Sequence, residues 1–465
     1  MYETDIDTIK SVLDKYGNDS ATGARVTLAG WVRTVRHSRD VGFMELNDGS
    51  CHRGIQVVFA PEAGGAQFAT GSCVLVSGAV DYNEGQSAKN RVEIKAEKIK
   101  IIGPADADYP ISKKRHSFEY LRGVAHLRPR TNTFSAVFRI RSVINYAIHE
   151  FLNGRGFVYV ATPCITASDC EGAGESFRVT TLDMDALPKN EDGAVDYKKE
   201  LLGKESFLTV SGQLHVEPFC AAFGKAYTFG PCFRAENSNT TRHACEFWHV
   251  EPEVAFADLN DIMDLIEEMT KYVIAEALAK CGEELGFLES FVENGLTKKL
   301  EDTVREPYAR VTYAEALDIL KKSGEKFSVP VEWGGFQTEW EKYLAEKAYN
   351  RPVFVTDYPK GSKPFYMRLN GDNATASATD LMFPGIGELV GASAREERPE
   401  VLFRRMEECG LAPEGYEWYA DLRRYGTFPH AGFGMGVERM TRYITGMENI
   451  RDVIPYPRTP NNAEF

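Results

Sequence analysis

The stretch from Phe229 to Glu253, FGPCFRAENSNTTRHACEFWHVEPE, gathers groups that could do chemistry. It reads as two strand-like runs joined by a loop, Asn237 to Thr241, with the Asn/Ser/Thr composition of a turn. An antiparallel hairpin here carries Arg234, Glu236, Arg242, His243, Glu246, Phe247, Trp248 and Glu251. Arg234 and Glu236, at i and i+2, point side by side at one site rather than forming a simple ion pair. Arginine suits bidentate phosphate contact, Glu236 can accept from an amino group, and Phe247 offers a face to a purine. Each residue alone reads equally well as structural. Their combination points to an anionic ligand with a flat ring, and a nucleoside triphosphate is the leading candidate.

Two downstream stretches add to this. In SATDLMFPGIGELVGASAREER (377–398), a hairpin turning at Pro384-Gly385 sets Asp380 and Glu388 across from each other, with Arg395 beyond. Unpaired, the carboxylates would repel and one would gain a proton. Mg²⁺, which takes one or two carboxylates plus phosphate oxygens, removes that conflict. Two solvated carboxylates on a surface hairpin remain the alternative. HAGFGMGVERMTRYI (430–444) is a Gly-rich strand entering a helix near Gly436. The chain has no GxxxxGKS/T, which excludes a P-loop, and too few residues follow Gly436 for a dinucleotide-binding unit. What remains is a close backbone approach, with Arg439 in the first helical turn aimed at an anion.

The elements that must position these groups follow from periodicity. Residues 1–20 read as a short helix through Ile6, Ile9, Val12 and Leu13. Val26–Val32, Phe43–Leu46, Ile55–Phe59, Val74–Val80 and Val92–Ile102 are short β-type runs separated by turn residues. That pattern fits a five-stranded OB-type barrel. Between its first runs lies RTVRHSRDVGF, where Arg33, Arg36, His37 and Arg39 lead into Phe43. This is either a stacking platform for single-stranded bases or a solvated loop beside a core Phe. A linker with the basic run KKRH (113–116) follows. Next comes an amphipathic helix with Phe138, Val143, Ile144, Ile148, Phe151 and Leu152 on one stripe. It leads to the strand Phe157–Val160, stopped by Pro163, and the pair suits a buried interface. Beyond lie a Gly/Glu-rich loop, DCEGAGESF (169–177), a polar surface insertion (182–205), and a strand Phe207–Val210 running into SGQLHVEPF (211–219). Residues 257–285 form a helix capped by Asp258, 286–350 are helix-rich, and strands resume at Val353–Thr356 and Phe365–Leu369.

With 465 residues and 43% hydrophobic content, the chain can bury large cores in several domains. No apolar stretch is long enough to span a bilayer, and the start, MYETDIDTIK, resembles neither a signal nor a transit peptide. Nine scattered cysteines without a CxxC indicate reduced thiols and a cytoplasmic protein. The net charge of −14 excludes a general nucleic-acid coat. Residues 21–105, however, hold ten Lys/Arg against eight Asp/Glu, so this module alone can meet a polyanion.

In this order, the pieces resemble the class II aminoacyl-tRNA synthetases of the aspartyl/asparaginyl/lysyl subgroup. The helix and strand ending at Pro163 are similar to that class's first motif, which makes the dimer interface. FRAE (233–236) with RH (242–243) resembles the second, and GFGMGVER (432–439) the third. EGAGESFRV (171–179), KESFLTVSGQL (204–214) and PGIGELVGASAREER (384–398) most resemble the bacterial asparaginyl branch. Val216 stands where the aspartyl branch would carry a lysine for a substrate carboxylate.

The resemblance implies an α+β protein. Residues 1–105 would be an OB-fold anticodon-binding domain and 106–135 a linker. Residues 136–465 would be a class II catalytic domain, an antiparallel sheet flanked by helices with insertions near 182–205 and 257–350. It implies ATP and L-asparagine as substrates, Mg²⁺ as cofactor, tRNA(Asn) as partner, and a homodimer. Arg234 would clamp the α-phosphate, with His243 and Arg439 on the β/γ-phosphates. Phe247 would stack on adenine, Glu236 would meet its edge, Arg242 would be a loop cation, and Gly436 would lie against the nucleotide. Asp380 and Glu388 would hold Mg²⁺. Glu171, Ser211 and Gln213 would hold the α-amino side, with Glu251 and Arg395 on the side-chain amide. Phe43 would stack on an anticodon base, with Arg33 and Gln56 nearby. No general base is implied; Arg234 and Arg439 act by charge and position. Three rivals stay open: an aspartyl or non-discriminating synthetase, an enzyme making free asparagine, and a non-enzymatic single-strand binder.

Overall fold

The computed structural model describes residues 6–17, 22–60, 68–82, 91–112, 114–168, 176–411 and 415–465. Contacts divide the chain into two compact units, 1–138 and 139–465.

The first unit contains a closed barrel of five strands: β1 (Arg25–His37), β2 (Gly42–Asn47), β3 (Ile55–Phe59), β4 (Cys73–Tyr82) and β5 (Val92–Gly103). Its order is β1-β2-β3-β5-β4, with β3 parallel to β5. Alternation dictates the core: in β3 and β4 every second side chain turns inward. Leu28, Leu46, Val57, Val74, Val76 and Ile94 are fully buried together, each contributing roughly 2 kcal/mol of apolar burial. The helix Ile9–Tyr16, capped by Thr8, closes one part of this core through Ile9, Val12 and Leu13. One expectation is corrected here. RTVRHSRDVGF is not mainly a loop, because β1 continues through His37 and pairs Arg36 with Phe43. The polar side chains there face out from a strand.

The second unit is built on an eight-stranded sheet. Its strands are β6 (Val158–Tyr159), β10 (Lys225–Phe233), β11 (Glu246–Ala255), β12 (Ala309–Thr312), β13 (Val353–Pro359), β14 (Thr375–Phe383), β15 (Gly387–Ala394) and β16 (His430–Gly436). The order is β12-β13-β14-β15-β16-β11-β10-β6. A small sheet of β7 (Ile165–Thr166), β8 (Arg178–Val179) and β9 (Ser206–Leu208) flanks the polar segment 182–205. The helix Leu259–Lys280 is capped by Asp258, which accepts from the N–H groups of Asn260 and Asp261; such a cap is worth about 1 kcal/mol. It buries Ile262, Ile266, Met269, Val273 and Ala277 as the spacing predicts, but Leu259 of the same stripe is only half-buried, and the helix ends at Lys280, before a separate helix Gly282–Phe291, rather than running to 285.

Two further local expectations change. Phe365–Leu369 is no strand and makes only isolated bridges, Met367 to Arg395 and Leu369 to Ala376. The strand expected at Phe207–Val210 is shorter, Ser206–Leu208, and SGQLHVEPF then opens a helix, Gln213–Phe223. Among the described residues no helix is long and apolar enough to cross a membrane, and every described cysteine is a free thiol.

Candidate functional site

The floor of the site is the predicted hairpin, but its strands end sooner than expected: β10 stops at Phe233 and β11 begins at Glu246, so Arg234, Glu236, Arg242 and His243 lie on the connecting loop. β10 and β11 pair antiparallel, with Cys232 opposite Phe247, Gly230 opposite His249 and Thr228 opposite Glu251. Strand alternation therefore sends Phe247, His249, Glu251 and Glu253 to one face. Over it lies a cavity of about 410 Å³. Arg234, Glu236, Arg242, His243, Phe247 and Arg439 line one part of it, with Gly436 beneath, and Ser211, Gln213, Glu251 and Arg395 line another. Asp380 and Glu388 belong to the same cavity.

The Arg234 guanidinium sits 5.2 Å from the centre of the Phe247 ring, a cation–π distance. Arg242 donates to Glu341 at 2.9 Å. Both groups lie where a side chain on Gly387 would go, and Gly387 also has φ +79°, so only glycine suits that turn. Arg439, in the first turn of the helix Val437–Thr445, donates to the Glu388 carbonyl at 2.5 Å and lies 3.7 Å from its carboxylate. His243 meets the hydroxyls of Thr240 at 2.6 Å and Ser238 at 3.2 Å. Burial first, then the positive charges of Arg439, Arg242 and Arg234, lowers its pKa below the usual histidine value.

Asp380 and Glu388 sit on the predicted hairpin, but not directly across from each other. A shift between Leu381 and Met382 sets Met382 opposite Glu388 and Asp380 opposite Gly391. A Cβ placed on Gly391 would lie 3.5 Å from Glu388 Oε1 and 3.7 Å from Asp380 Oδ1, so the two side chains still converge there. Lys363 Nζ stands 2.7 Å from both Asp380 oxygens and 3.9 Å from the Tyr358 ring centre. Burial raises the Asp380 pKa, Lys363 opposes this, and Glu388 adds to it. For Glu388, burial is outweighed by Arg439, Lys363, Arg234 and Arg242, which hold its carboxyl below the usual range. The two carboxylates are an all-oxygen donor pair that suits a hard divalent cation, and the Lys363 ammonium holds a positive charge at the same place.

At the other part of the cavity, Glu251 accepts from Ser211 Oγ, from the Gly212 N–H at 2.8 Å, and stands 3.1 Å from His249 Nδ1. Burial alone would raise its pKa, but these partners lower it and keep it anionic. Arg395 does not pair with Glu251. Its Nε and Nη2 fork onto Glu253 at 2.5–3.1 Å, and Nη1 donates to Ser393 Oγ at 2.7 Å. Glu253 can stand there because its register partner, Gly432, has no side chain in that space. Gln213 Nε2 donates to Glu217 at 3.0 Å. His215 stacks on Trp418 and Val216 is buried; neither lines the cavity.

Glu171 lies outside the described residues. Arg33, Phe43 and Gln56 belong to the barrel and not to the cavity. Phe43 is 39% exposed, between Arg36 and Val58 in register. Gln56 Nε2 donates to Glu93 at 2.7 Å, and Arg33 donates to Asn47 at 3.3 Å and Asn132 at 3.4 Å. Sequence reasoning missed Lys363, Glu341, Glu217, Glu253 and Glu438. Glu438 is buried, accepting from Arg141 at 2.6 Å and from the Trp248 N–H. Only Glu253 carried a readable signal, its i+2 spacing from Glu251 on one strand.

Comparisons with known proteins place the chain in a family. Residues 119–460 match the family model of tRNA synthetases class II (D, K and N), and residues 26–102 match that of the OB-fold nucleic acid binding domain. An asparagine--tRNA ligase of Clostridium novyi is 56% identical over 448 residues, covering 95% of this chain and 96% of its own. One from Bacillus thuringiensis is 55% identical over 452 residues, covering 96% and 97%. The crystal structure of asparaginyl-tRNA synthetase from Pyrococcus horikoshii complexed with asparaginyl-adenylate superposes with a TM-score of 0.85 at 32% identity, covering 99% of this chain and 100% of that one. A match to the class II model over most of the chain, with curated relatives more than half identical along nearly all of it, shows that this chain belongs to the asparagine--tRNA ligases of the class II tRNA synthetases.

Proposed function

We propose that the cavity activates L-asparagine with ATP, releasing pyrophosphate, and that the asparaginyl group then passes to the 3′-terminal adenosine of tRNA(Asn). The observation that carries this is the composition of one continuous cavity. The Arg234–Phe247 pair sits on the loop side, and the anionic Glu251 beside the Glu253-neutralised Arg395 sits on the strand side. The asparagine carboxylate attacks the α-phosphorus in line, and it is already anionic, so no base is needed. Arg234 neutralises the α-phosphate, while His243 and Arg439 meet the β/γ-phosphates. Phe247 stacks on adenine and Glu236 accepts from its amino group. Arg242, tethered to Glu341, shapes the loop, and Gly436 lets the backbone approach. Catalysis is then mostly positioning. Asp380 and Glu388 would hold Mg²⁺, which supplies charge neutralisation to the triphosphate when bound.

Glu251 accepts from the side-chain amide NH₂ and Arg395 donates to its carbonyl. An aspartate would bring a second carboxylate to Glu251 with no spare cation, since Arg395 is already paired with Glu253. Ser211 and Gln213, with Glu171, hold the α-amino side. ATP–pyrophosphate exchange tests the reading: asparagine should support it and aspartate should not. Robust exchange with aspartate would overturn the choice of amino acid.

The barrel is proposed to read the anticodon, with Phe43 stacking on a base and Arg33 and Gln56 beside it. The long helix Asn132–Gly154 and the strand after it leave Tyr146, Val158 and Tyr159 exposed, which supports a homodimer through this segment. Sedimentation at micromolar concentration showing only monomer would refute the dimer. Free thiols fit the cytoplasm.

A further inference from the structure

Glu217 lies one helical turn behind Gln213, outside the cavity, and is 0% exposed. Four side chains from three elements donate to its carboxylate. They are Gln213 Nε2 at 3.0 Å, Tyr419 Oη at 2.8 Å, Arg423 Nη2 at 3.1 Å and His430 Nε2 at 2.9 Å. Tyr419 and Arg423 come from the helix Glu417–Arg424, and His430 begins β16. Arg423 is held in turn by the Glu396 carbonyl at 2.9 Å, and His430 by the Phe428 carbonyl at 3.0 Å. A carboxylate has about four lone-pair sites, and here all are used. Burial alone would raise its pKa, but Arg423 and His430 hold it far below the usual carboxylate range. It is therefore an acceptor only.

Of its partners, only Gln213 reaches the cavity. An acceptor-only neighbour fixes a glutamine amide one way round, with the NH₂ turned toward it and the oxygen turned away. The Gln213 oxygen accepts no hydrogen bond from any described residue, and it is not among the buried polar atoms lacking a partner. It therefore opens toward the cavity. We infer that Glu217 is a positioning residue for the substrate's α-ammonium group: it locks the Gln213 amide so that the carbonyl oxygen, never the NH₂, faces that cation. This rests on the reading of Gln213 as an α-amino contact. It assigns the buried cluster of Glu217, Tyr419, Arg423 and His430 a role in substrate selection beyond knitting helix to sheet.

The test compares asparagine with 3-carbamoylpropanoate, which is asparagine without the α-ammonium, as competitor in ATP–pyrophosphate exchange. In Glu217→Gln the new amide can donate as well as accept, so Gln213 is free to flip. The preference for asparagine over the des-amino analogue should fall about tenfold, while KM for ATP stays within about twofold. An unchanged preference overturns the inference even if both ligands bind less well, because a purely structural role weakens both alike. If Glu217→Gln does not fold, Glu217→Asp keeps the buried charge but retracts it, and the preference should again fall. Gln213→Ala separates the two layers. No loss of preference in that variant refutes the α-amino reading itself. A loss there that Glu217→Gln does not add to shows Glu217 acting through Gln213.

Discussion

The two ends of the cavity hold their charges in opposite ways. On the nucleotide side, cations lean on acids that remain partly open. Arg439 and Glu388 are 23% and 42% exposed, while Arg242–Glu341 (16% and 12%) and Lys363–Asp380 (12% and 15%) are more enclosed but bridge loops, a short helix and a hairpin. On the amino-acid side the arginine–glutamate pairs are sealed. Arg395 and Glu253 are 3% and 0% exposed, and Arg423 and Glu217 are 1% and 0%. Open pairs can exchange partners when a polyanion arrives, because water and ligand reach both members. Sealed pairs cannot, since releasing either would strand a charge in the interior. On the proposed reading, one end adapts to a highly charged ligand, and the other acts as a fixed template for a small, net-neutral one.

The largest effect expected from this contrast is at the open end. Arg234→Ala removes the cation proposed to meet charge developing in the transition state. It should lower kcat/KM for exchange by about 10³, the scale of losing one such group. Asparagine binding measured by calorimetry without ATP should change little. A comparable loss of asparagine affinity would mean the two ends are not separate devices.

The open end was the legible one. Arg234, Glu236, Arg242, His243 and Phe247 fall within one hairpin, so their grouping survives in the linear sequence. The sealed end was not, because its partners meet across long separations: Glu217 and Arg423 are 206 residues apart, and Arg395 and Glu253 are 142 apart. Nothing local marks such pairs. The barrel was legible because alternation repeats in every strand, whereas the extension of β1 through Arg36 was hidden by polar side chains that resemble a turn. The Asp380/Glu388 hairpin was legible as a turn but not in register, since the shift at Leu381/Met382 leaves no compositional trace. Glu253 is the instructive miss: with Glu251 already a candidate, strand periodicity alone placed it on the same face.

The next effect tests whether the sealed partner is fixed. Glu253→Gln keeps the shape but leaves the Arg395 charge buried without its counter-ion. Breaking a pair this enclosed should cost about 3 kcal/mol of stability, read as a fall in Tm. The site should also become more hospitable to a substrate that brings its own carboxylate. Exchange with aspartate relative to asparagine should rise about tenfold. A destabilised variant that discriminates as well as the parent would show that neutralising Arg395 is not what selects the amide.

The smallest effect probes whether the open partners exchange. Lys363 holds both Asp380 oxygens at 2.7 Å, and Glu388 converges on the same point over Gly391. The ammonium thus occupies ground that a divalent cation would share, and the two compete for the same carboxylate. Lys363→Met removes the competitor and leaves two carboxylates facing each other, a repulsion that cation binding relieves. Without nucleotide, the variant should therefore bind Mn²⁺, a paramagnetic probe for the same oxygen site, about tenfold more tightly than the parent in an EPR titration. The direction decides the matter. If Lys363 only braces Asp380 in place, its loss lets the carboxylate wander and Mn²⁺ binding weakens. If Lys363 is an exchangeable counter-ion, removing a positive charge makes the protein a better ligand for one.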